Sequence, residues 1–359
     1  MVDGGLFGLG RDADVQAFFP VDFGDTVACG LRSLQRGRTD RAWYPVPPLF
    51  DRAGVLGSFW PASCSLAVCE NRMRLLKEIL LPTEFSPHCV DVARSAAGVA
   101  RHFNSKITLL HVLAPLNPAW AALCNGAVVD EVRAHLKEEF CSRLSQSVPD
   151  ELRGLAVECI VCEGDPADII TRYCASEGIG LVMMPTRGSS AFRRFLLGSV
   201  TAKVLHDVNC PVWTSSHVTD AHPAVSVIPE VIVCAVDRTS QGDAISRWAA
   251  DLAWNLRARL IVVHAIRPVE FHPEADDTRE WLIEDAHCAI HKVLQGSRMP
   301  GAEVRVESGS VPAIVRSVVE GSRADLLIVG RASNSDMLGR LRTHSYTLIR
   351  ESPCPVISI

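Results

Sequence analysis

The feature that most constrains the fold of this chain is an internal repeat that covers most of its 359 residues. Five landmarks recur in the same order at an offset that falls only from 153 to 144 residues: Glu84 and Asp237, His111 and His264, Gly164 and Gly309, Leu181 and Leu326, and Cys210 and Cys354. A common order at so steady an offset is hard to obtain by chance. The chain is therefore interpreted as a tandem duplication of one structural unit.

The repeat divides the chain into four segments. We expect an N-terminal extension at 1–72, a first domain at 73–215, a linker at 216–229 and a second domain at 230–359. The extension contains no Lys and has no sustained helical or strand periodicity. About 70 residues without such signals are unusual inside a compact domain, so we expect this extension to be poorly structured. Met73, which leads into the first apolar strand, is an alternative start of the protein.

Each repeat alternates strands with helices. The predicted strands, such as the one that begins at Leu181, are nearly continuous apolar runs, which is typical of parallel strands buried on both faces. Ser86 before Pro87, and Asp165 before Pro166, are typical helix starts. The pattern predicts an α/β protein of two tandem, doubly wound parallel-sheet domains. Their ligand crevices should lie at the carboxyl ends of the strands.

The loop after the fourth strand of the first repeat carries a candidate phosphate site. Arg187 and Gly188 follow this strand, and Gly198, Ser199 and Val200 open the next helix. Glycine allows a ligand to approach the backbone closely, and the N–H groups at a helix start suit a phosphate group. The alternative is an ordinary connection whose glycines only permit tight turns.

The order of these features resembles the universal stress protein family over both repeats, about residues 77–359. The matching features are an acidic strand end, a Leu-His-Val strand, a Gly-Asp-Pro helix start, the glycine loop, a Gly-Ser helix start and a Cys-Pro-Val final strand. The resemblance implies an adenine nucleotide α-hydrolase-like fold, with five parallel strands per domain in the order 3-2-1-4-5. It also implies that some members bind ATP through Gly-x-x-Gly, nine residues and Gly-Ser/Thr, whereas others lack the motif.

The first repeat keeps the phosphate end of that motif and departs from it elsewhere. Gly188, Gly198 and Ser199 match, whereas Pro185 stands where the family has its first Gly. Because proline has no N–H, one backbone contact with phosphate is missing. Glu84 replaces the Asp that ATP-binding members have at the first strand end, and its side chain is one methylene longer.

The second repeat keeps Asp237 and Gly330, but Ser333 replaces the second Gly of the motif and Arg342 replaces the third. Neither repeat therefore has a complete motif. The resemblance and the positions at strand ends together give these candidate nucleotide-binding residues: Pro82, Thr83, Glu84, Val112, Met184, Arg187, Gly188, Gly198, Ser199, Val200, Asp237 and Gly330. We expect weak ATP binding, mainly by the first domain.

The resemblance predicts a non-enzymatic stress-response or regulatory protein with degenerate ATP-type sites. The alternative is a protein–protein interaction module that no longer binds nucleotide; in either case we expect an unidentified regulatory protein as partner.

The sequence contains no nucleophile elbow, no Walker loop and no paired catalytic carboxylates. His287 and His291 share a helix face, and Cys159 and Cys162 share a strand, but neither pair has further ligands, so we predict no metal.

Charge and cysteine content exclude several classes of partner. The 36 basic and 41 acidic residues give a net charge of −5, which offers no basic surface for nucleic acid or a membrane. No apolar run approaches the about 20 residues needed to cross a bilayer. The 13 Cys are scattered singly through apolar runs, which favours a reducing, cytoplasmic location over a disulfide-linked secreted protein.

The last strand of each repeat is expected to lie at a sheet edge. Val212–Thr214 and Val356–Ser358 each follow a Cys-Pro turn near the end of a repeat, and an uncovered edge strand needs a partner. The resemblance implies that members pair as dimers and that the halves of tandem members can pair within one chain. We expect the two domains to pair as a pseudo-dimer, and a homodimer of whole chains is a further expected assembly.

Overall fold

The computed structural model describes residues 76–186, 197–215, 228–266, 275–331 and 343–359. The predicted extension at 1–72 lies outside these residues, as does nearly all of the predicted linker. Of the candidate site residues, Arg187 and Gly188 lie outside them. Ser333 and Arg342, where the second repeat departs from the motif, also lie outside them.

Both halves alternate strands with helices, as the apolar runs predict. The elements of the first half are β1 (Glu78–Pro82), α1 (Pro87–Phe103), β2 (Lys106–Leu113), α2 (Pro118–Leu123), α3 (Gly126–Gln146), a 3-10 helix (Asp150–Leu152), β3 (Val157–Glu163), α4 (Pro166–Glu177), β4 (Leu181–Pro185), α5 (Ser199–Asp207) and β5 (Val212–Ser215). Those of the second half are β6 (Val231–Ala235), α6 (Ser240–Leu256), β7 (Arg259–Ile266), α7 (Ala275–Gln295), β8 (Glu303–Ser308), α8 (Val311–Ser322), β9 (Leu326–Val329), α9 (Thr343–Glu351) and β10 (Val356–Ser358).

The helices begin where the sequence predicts. Pro87 is the first residue of α1 after the N-cap Ser86. Asp165 is the N-cap of α4, where its side chain accepts a hydrogen bond from the Asp168 N–H at 3.0 Å. This bond satisfies one of the backbone donors that a helix start leaves unpaired.

The strands form one ten-stranded sheet in the order β3-β2-β1-β4-β5-β10-β9-β6-β7-β8. Each half is parallel and has the predicted order 3-2-1-4-5, so the predicted fold class is confirmed. The halves meet at the two short final strands, which pair antiparallel with Trp213 opposite Ile357. Each final strand is thereby covered on its free edge by the other.

The core is divided by the faces of the sheet rather than by the repeats. One buried cluster joins side chains of α1 and α6 with one face of the strands, and it includes Trp213 and Ile357. The other cluster joins α4, α5, α8 and α9 with the opposite face. Because both clusters contain residues of both halves, burial of apolar surface holds the halves together as well as folding each one.

Within the described part of the chain, no helix has the length and apolar character that a bilayer span requires.

Candidate functional site

The candidate site of the first half lies where the strand order reverses, between β1 and β4. A cavity of about 330 Å³ opens there at the carboxyl ends of β1, β2 and β4, beside the start of α5. Ligands of doubly wound α/β proteins bind at this type of position, because the connections leave the sheet in opposite directions and create a crevice. The cavity is within the usual size range of small-molecule sites.

Eight of the predicted site residues line this cavity: Pro82, Thr83, Glu84, Val112, Met184, Gly198, Ser199 and Val200. Asp237 and Gly330 line a separate cavity of about 130 Å³ at the corresponding place in the second half. Sequence reasoning did not select several other lining residues of the first cavity: Cys89, Leu110, His111, Pro166, Ile170, Pro185 and Thr201. Most of these are apolar residues inside strands or helices. An apolar residue there has the same sequence pattern whether it packs in the core or lines a cavity, so the sequence cannot distinguish the two roles.

The start of α5 provides the polar end of the first cavity. Gly198 is the N-cap and brings no side-chain acceptor to the first turn. Its own N–H donates to the Thr186 carbonyl at 2.8 Å, and the Thr201 hydroxyl donates to the Pro185 carbonyl at 3.0 Å. These bonds fix the helix start against β4. The backbone N–H groups of Ser199 and Val200 at this start, together with the positive end of the helix dipole, favour an anion.

His111 of β2 also lines the cavity. Its Nδ1 lies 2.8 Å from the Thr83 carbonyl oxygen and donates to it when protonated. The His111 ring is stacked on Phe140, with 5.0 Å between ring centroids, and it also contacts Phe85. The Arg143 guanidinium lies over the Phe85 ring, 4.3 Å from its centroid. This cluster holds the loop after β1, which presents the exposed side chain of Glu84 at the cavity.

Phe85 has a left-handed backbone conformation, with φ at +60°. A residue with a Cβ pays about 1–2 kcal/mol for this conformation, and such strained residues concentrate at functional sites. Here the ring contacts with His111, Phe140 and Arg143 stabilise it. The aromatic cluster was not predicted as a unit, because Phe85 and Phe140 are 55 positions apart in sequence.

The corresponding cavity of the second half is more obstructed. The Gln241 side chain at the start of α6 donates to the Arg331 carbonyl just after β9, at 2.5 Å, and both residues line the cavity. A Cβ on Gly330 would lie 2.6 Å from Ile245 Cδ1, so a larger residue there would have to displace the end of the Ile245 side chain. The carboxylate of Asp237 accepts a hydrogen bond from the Thr239 hydroxyl. These contacts explain the smaller cavity.

Arg331 is the residue that sequence reasoning missed most completely. Its side chain is buried, with 8% exposed, and it leaves the second half to reach the first. Nη1 donates to the carbonyls of Leu205 and Val208 at 3.0 and 3.1 Å, and Nη2 donates to that of Cys210 at 2.6 Å. The guanidinium thus caps the carboxyl end of α5, where the helix dipole favours a cation. Burial lowers the pKa of this guanidinium from its ordinary value.

The weaker motifs bring no metal site together. His287 and His291 are adjacent, with 4.6 Å between ring centroids, but no group of three or more potential metal ligands occurs within the described ranges. Cys159 packs against the core cluster on one face of the sheet and Cys162 against the cluster on the other. Their side chains therefore point to opposite sides of β3, as the spacing predicts.

Comparison with known proteins shows that the model of one family matches this chain twice. The model of the Universal stress protein family matches residues 76–215 and 230–359. A universal stress protein of Mycolicibacterium smegmatis is 26% identical over 268 residues, which cover 73% of this chain and 90% of that protein. One from Methanocaldococcus jannaschii is 25% identical over 148 residues, which cover 41% of this chain and 85% of that protein.

A solved structure extends the similarity to the fold of both halves. The crystal structure of a universal stress protein from Archaeoglobus fulgidus covers 79% of this chain and 97% of its own, with a TM-score of 0.55 and 25% identity. Because one chain of that protein matches most of the present one, the tandem arrangement is shared between them.

Proposed function

Because this chain belongs to the universal stress protein family, with two copies of the family domain, we propose that it is a non-enzymatic regulatory protein of the stress response. Its first domain binds an ATP-type nucleotide weakly, and its second domain does not. Under this proposal the protein works in the cytoplasm, and nucleotide binding changes the surface that a regulatory partner contacts.

One observation carries the nucleotide proposal. Eight residues selected from the sequence, which come from β1, β2, β4 and α5, line a single cavity at the switch point of the first domain. The start of α5 supplies backbone N–H donors at one end, for the phosphate groups. The exposed Glu84 carboxylate, which also lines the cavity, suits the hydroxyl groups of a ribose.

Pro185 explains why we propose weak binding. Proline cannot donate a backbone hydrogen bond, and its carbonyl already accepts the Thr201 hydroxyl. Loss of one hydrogen bond to a charged phosphate costs about 1–3 kcal/mol, which is roughly one to two decades in affinity. A micromolar site would thereby move towards the millimolar range.

The cavity of the second domain supports the proposal that only the first domain binds nucleotide. This cavity, at about 130 Å³, has less than half the volume of the first. The hydrogen-bonded Gln241 and Arg331 both line it, and Ile245 packs against Gly330. A nucleotide would have to break these contacts before it could approach the backbone.

Isothermal titration calorimetry with ATP tests the proposal. We expect a dissociation constant near the millimolar range for the wild type, a roughly ten- to hundredfold tighter one for Pro185→Gly, and no binding by Gly198→Asp. The Asp side chain would place a like charge beside the phosphates. Thr343→Asp adds the same charge at the first residue of α9 in the second domain. It is the control in the other domain and should bind as the wild type does. Tight binding that survives Gly198→Asp would place the site elsewhere.

The second candidate is a protein-interaction module that has lost its nucleotide sites. The missing donor at Pro185 and the obstructed second cavity favour it. Absence of binding by both the wild type and Pro185→Gly would support this candidate and contradict the nucleotide proposal.

We also propose that the two domains take the place of the two subunits of a dimer. The antiparallel pairing of β5 with β10 supports this, with the Thr214 hydroxyl donating to the Val356 carbonyl at 3.3 Å. The contacts of Arg331 with the first domain, and the two cores that span both halves, support it further.

A further inference from the structure

The first domain has a second cavity, of about 300 Å³, on the other face of the sheet from the candidate nucleotide cavity. Its lining includes Leu81, Leu109 and Leu144, which belong to the core cluster on the α1 side of the sheet. The nucleotide cavity is lined instead by Leu110 and Met184 of the opposite cluster. The lining residues that the two cavities share lie between the end of β1 and the first turn of α1. The second cavity is therefore a separate compartment.

Most of the residues that line this second cavity are apolar, and a few are polar. Among the described residues of its lining, Arg143 is the only charged one, and no carboxylate is present. A largely apolar cavity with a few polar groups is typical of small-molecule sites, where the polar groups orient the ligand. The charge of Arg143 favours a ligand with an anionic group.

The Arg143 guanidinium is held in place without being neutralised. It lies over the Phe85 ring, 4.3 Å from its centroid, and 5.7 Å from the centroid of Phe140. Within the described part of the chain it forms no ion pair, and its side chain is exposed. A guanidinium donates hydrogen bonds in its own plane, whereas an aromatic ring contacts its flat face. The stacking on Phe85 thus leaves N–H donors of Arg143 available for a carboxylate.

Ser86 supplies a second polar group, at the start of α1. It is the N-cap residue and is only 6% exposed, but its hydroxyl accepts no capping hydrogen bond from the helix. Its partner among the described residues is Cys89 Sγ at 3.5 Å, and a thiol is a weak partner. The first turn of α1 also contains no acidic residue, so the positive end of the helix dipole is not compensated there. The hydroxyl and the helix start both favour an anion.

The duplication provides an internal comparison. The counterpart of Ser86 in the second domain is Thr239, which stands 153 positions later. The Thr239 side chain caps α6 by accepting from the Gly242 N–H at 3.2 Å, and its hydroxyl donates to the Asp237 carboxylate. The first turn of α6 contains Asp243, whose charge would repel an anion. The helix start is thus satisfied by its own side chains in the second domain, and it is open in the first.

We propose that this second cavity binds a small organic acid with one carboxylate and an apolar body, such as a medium-chain fatty acid. The carboxylate accepts hydrogen bonds from the Arg143 guanidinium and the Ser86 hydroxyl, at the positive end of α1. Phe85 brings these groups together, because it precedes Ser86 and its ring supports the guanidinium. The apolar body packs against the leucine side chains of the sheet and of α3. This site does not depend on nucleotide binding by the first domain.

Isothermal titration calorimetry of the full chain with octanoate tests the proposal. We expect one saturable site per chain. Octanol has the same apolar body without the charge and should bind at least about tenfold more weakly, since it lacks hydrogen bonds between charged groups. Acetate has the charge without the apolar body and should not displace octanoate at the same concentration. Absence of saturable octanoate binding, or equal affinities for octanol and octanoate, would overturn the proposal.

Variants locate the carboxylate. Arg143→Met should weaken octanoate binding by about ten- to hundredfold, and Ser86→Ala by about two- to tenfold. Arg143→Lys keeps the charge and should lose less affinity than Arg143→Met. Arg133→Met removes the same charge from an exposed position of the same helix, and it is the matched control, which should bind octanoate as the wild type does. Because Arg143 is exposed, its variants should fold, and circular dichroism checks this. Equal affinities of Arg143→Met and Arg133→Met would contradict the role of Arg143.

Gly198→Asp distinguishes this site from the nucleotide cavity. It adds a negative charge at the start of α5, on the other face of the sheet, and should leave octanoate binding unchanged. Loss of octanoate binding in Gly198→Asp would place the organic acid in the nucleotide cavity and refute a second site. Octanoate binding by a chain that does not bind ATP would support the second site and contradict only the nucleotide proposal.

Discussion

Arg331→Ala should weaken the contact between the two domains more than the truncation of an exposed arginine side chain to alanine does. The guanidinium makes three hydrogen bonds, to the carbonyls of Leu205, Val208 and Cys210, at 2.6 to 3.1 Å. Hydrogen bonds to charged groups contribute about 1.5–3 kcal/mol each. The desolvation of the buried cation, which costs several kcal/mol, offsets part of this sum. We expect a net loss of about 2–4 kcal/mol in the free energy of unfolding, because three carbonyls at the end of α5 lose their donor.

Urea unfolding followed by tryptophan fluorescence measures this loss, since the buried Trp213 and Trp248 lie in the core that spans both domains. Arg153→Ala is the matched control. Arg153 is 78% exposed and pairs with Asp150 at 2.7 Å, so its loss should cost less than about 1 kcal/mol. An Arg331→Ala variant as stable as Arg153→Ala would refute the inference that the buried guanidinium stabilises the fold.

The same substitution tests the pairing of the domains directly. With a specific protease site placed in 216–229, cleaved wild-type protein should elute from a sizing column as one associated pair of halves. Cleaved Arg331→Ala should dissociate at a higher protein concentration than the cleaved wild type. Halves of the wild type that separate completely after cleavage would contradict the pseudo-dimer.

Two further predictions concern packing and pH. Gly242→Ala should destabilise the protein by about 3 kcal/mol or more, because a Cβ on Gly242 would lie 2.0 Å from the backbone oxygen of Asp237. Gly330→Ala should cost only about 1–3 kcal/mol, because its Cβ would meet the end of the Ile245 side chain, which can move. Thermal unfolding of both variants measures which of them is less stable. Hydrogen bonds from Arg259 and Arg305 hold the pKa of Glu303 below its ordinary value of 4.5, so the stability that Glu303→Gln removes should be largest above pH 4.5 and vanish as the pH falls through the lowered pKa. A constant difference between wild type and Glu303→Gln across that range would show that the carboxylate is not stabilised by folding.

Much of the fold can be predicted from this sequence, because the signals for it are local and occur twice. Continuous apolar runs indicate strands buried on both faces, and pairs such as Asp165-Pro166 mark helix starts that the structure contains. The duplication then restricts both halves to one topology. The residues that lie after β1 and before α5 could also be selected, because the carboxyl ends of parallel strands meet at one edge of the sheet.

The contacts that distinguish this protein were decided by the tertiary structure alone. Position 331 carries no sequence signal for a link to Cys210, because the acceptors are backbone carbonyls, which almost every residue has. The obstruction of the second cavity depends on where the Gln241 side chain ends. The periodicity and the capping residues of a helix or strand can be read from neighbouring positions in the sequence. Contacts between distant segments depend on how those elements pack, and they produce no periodic pattern in the sequence.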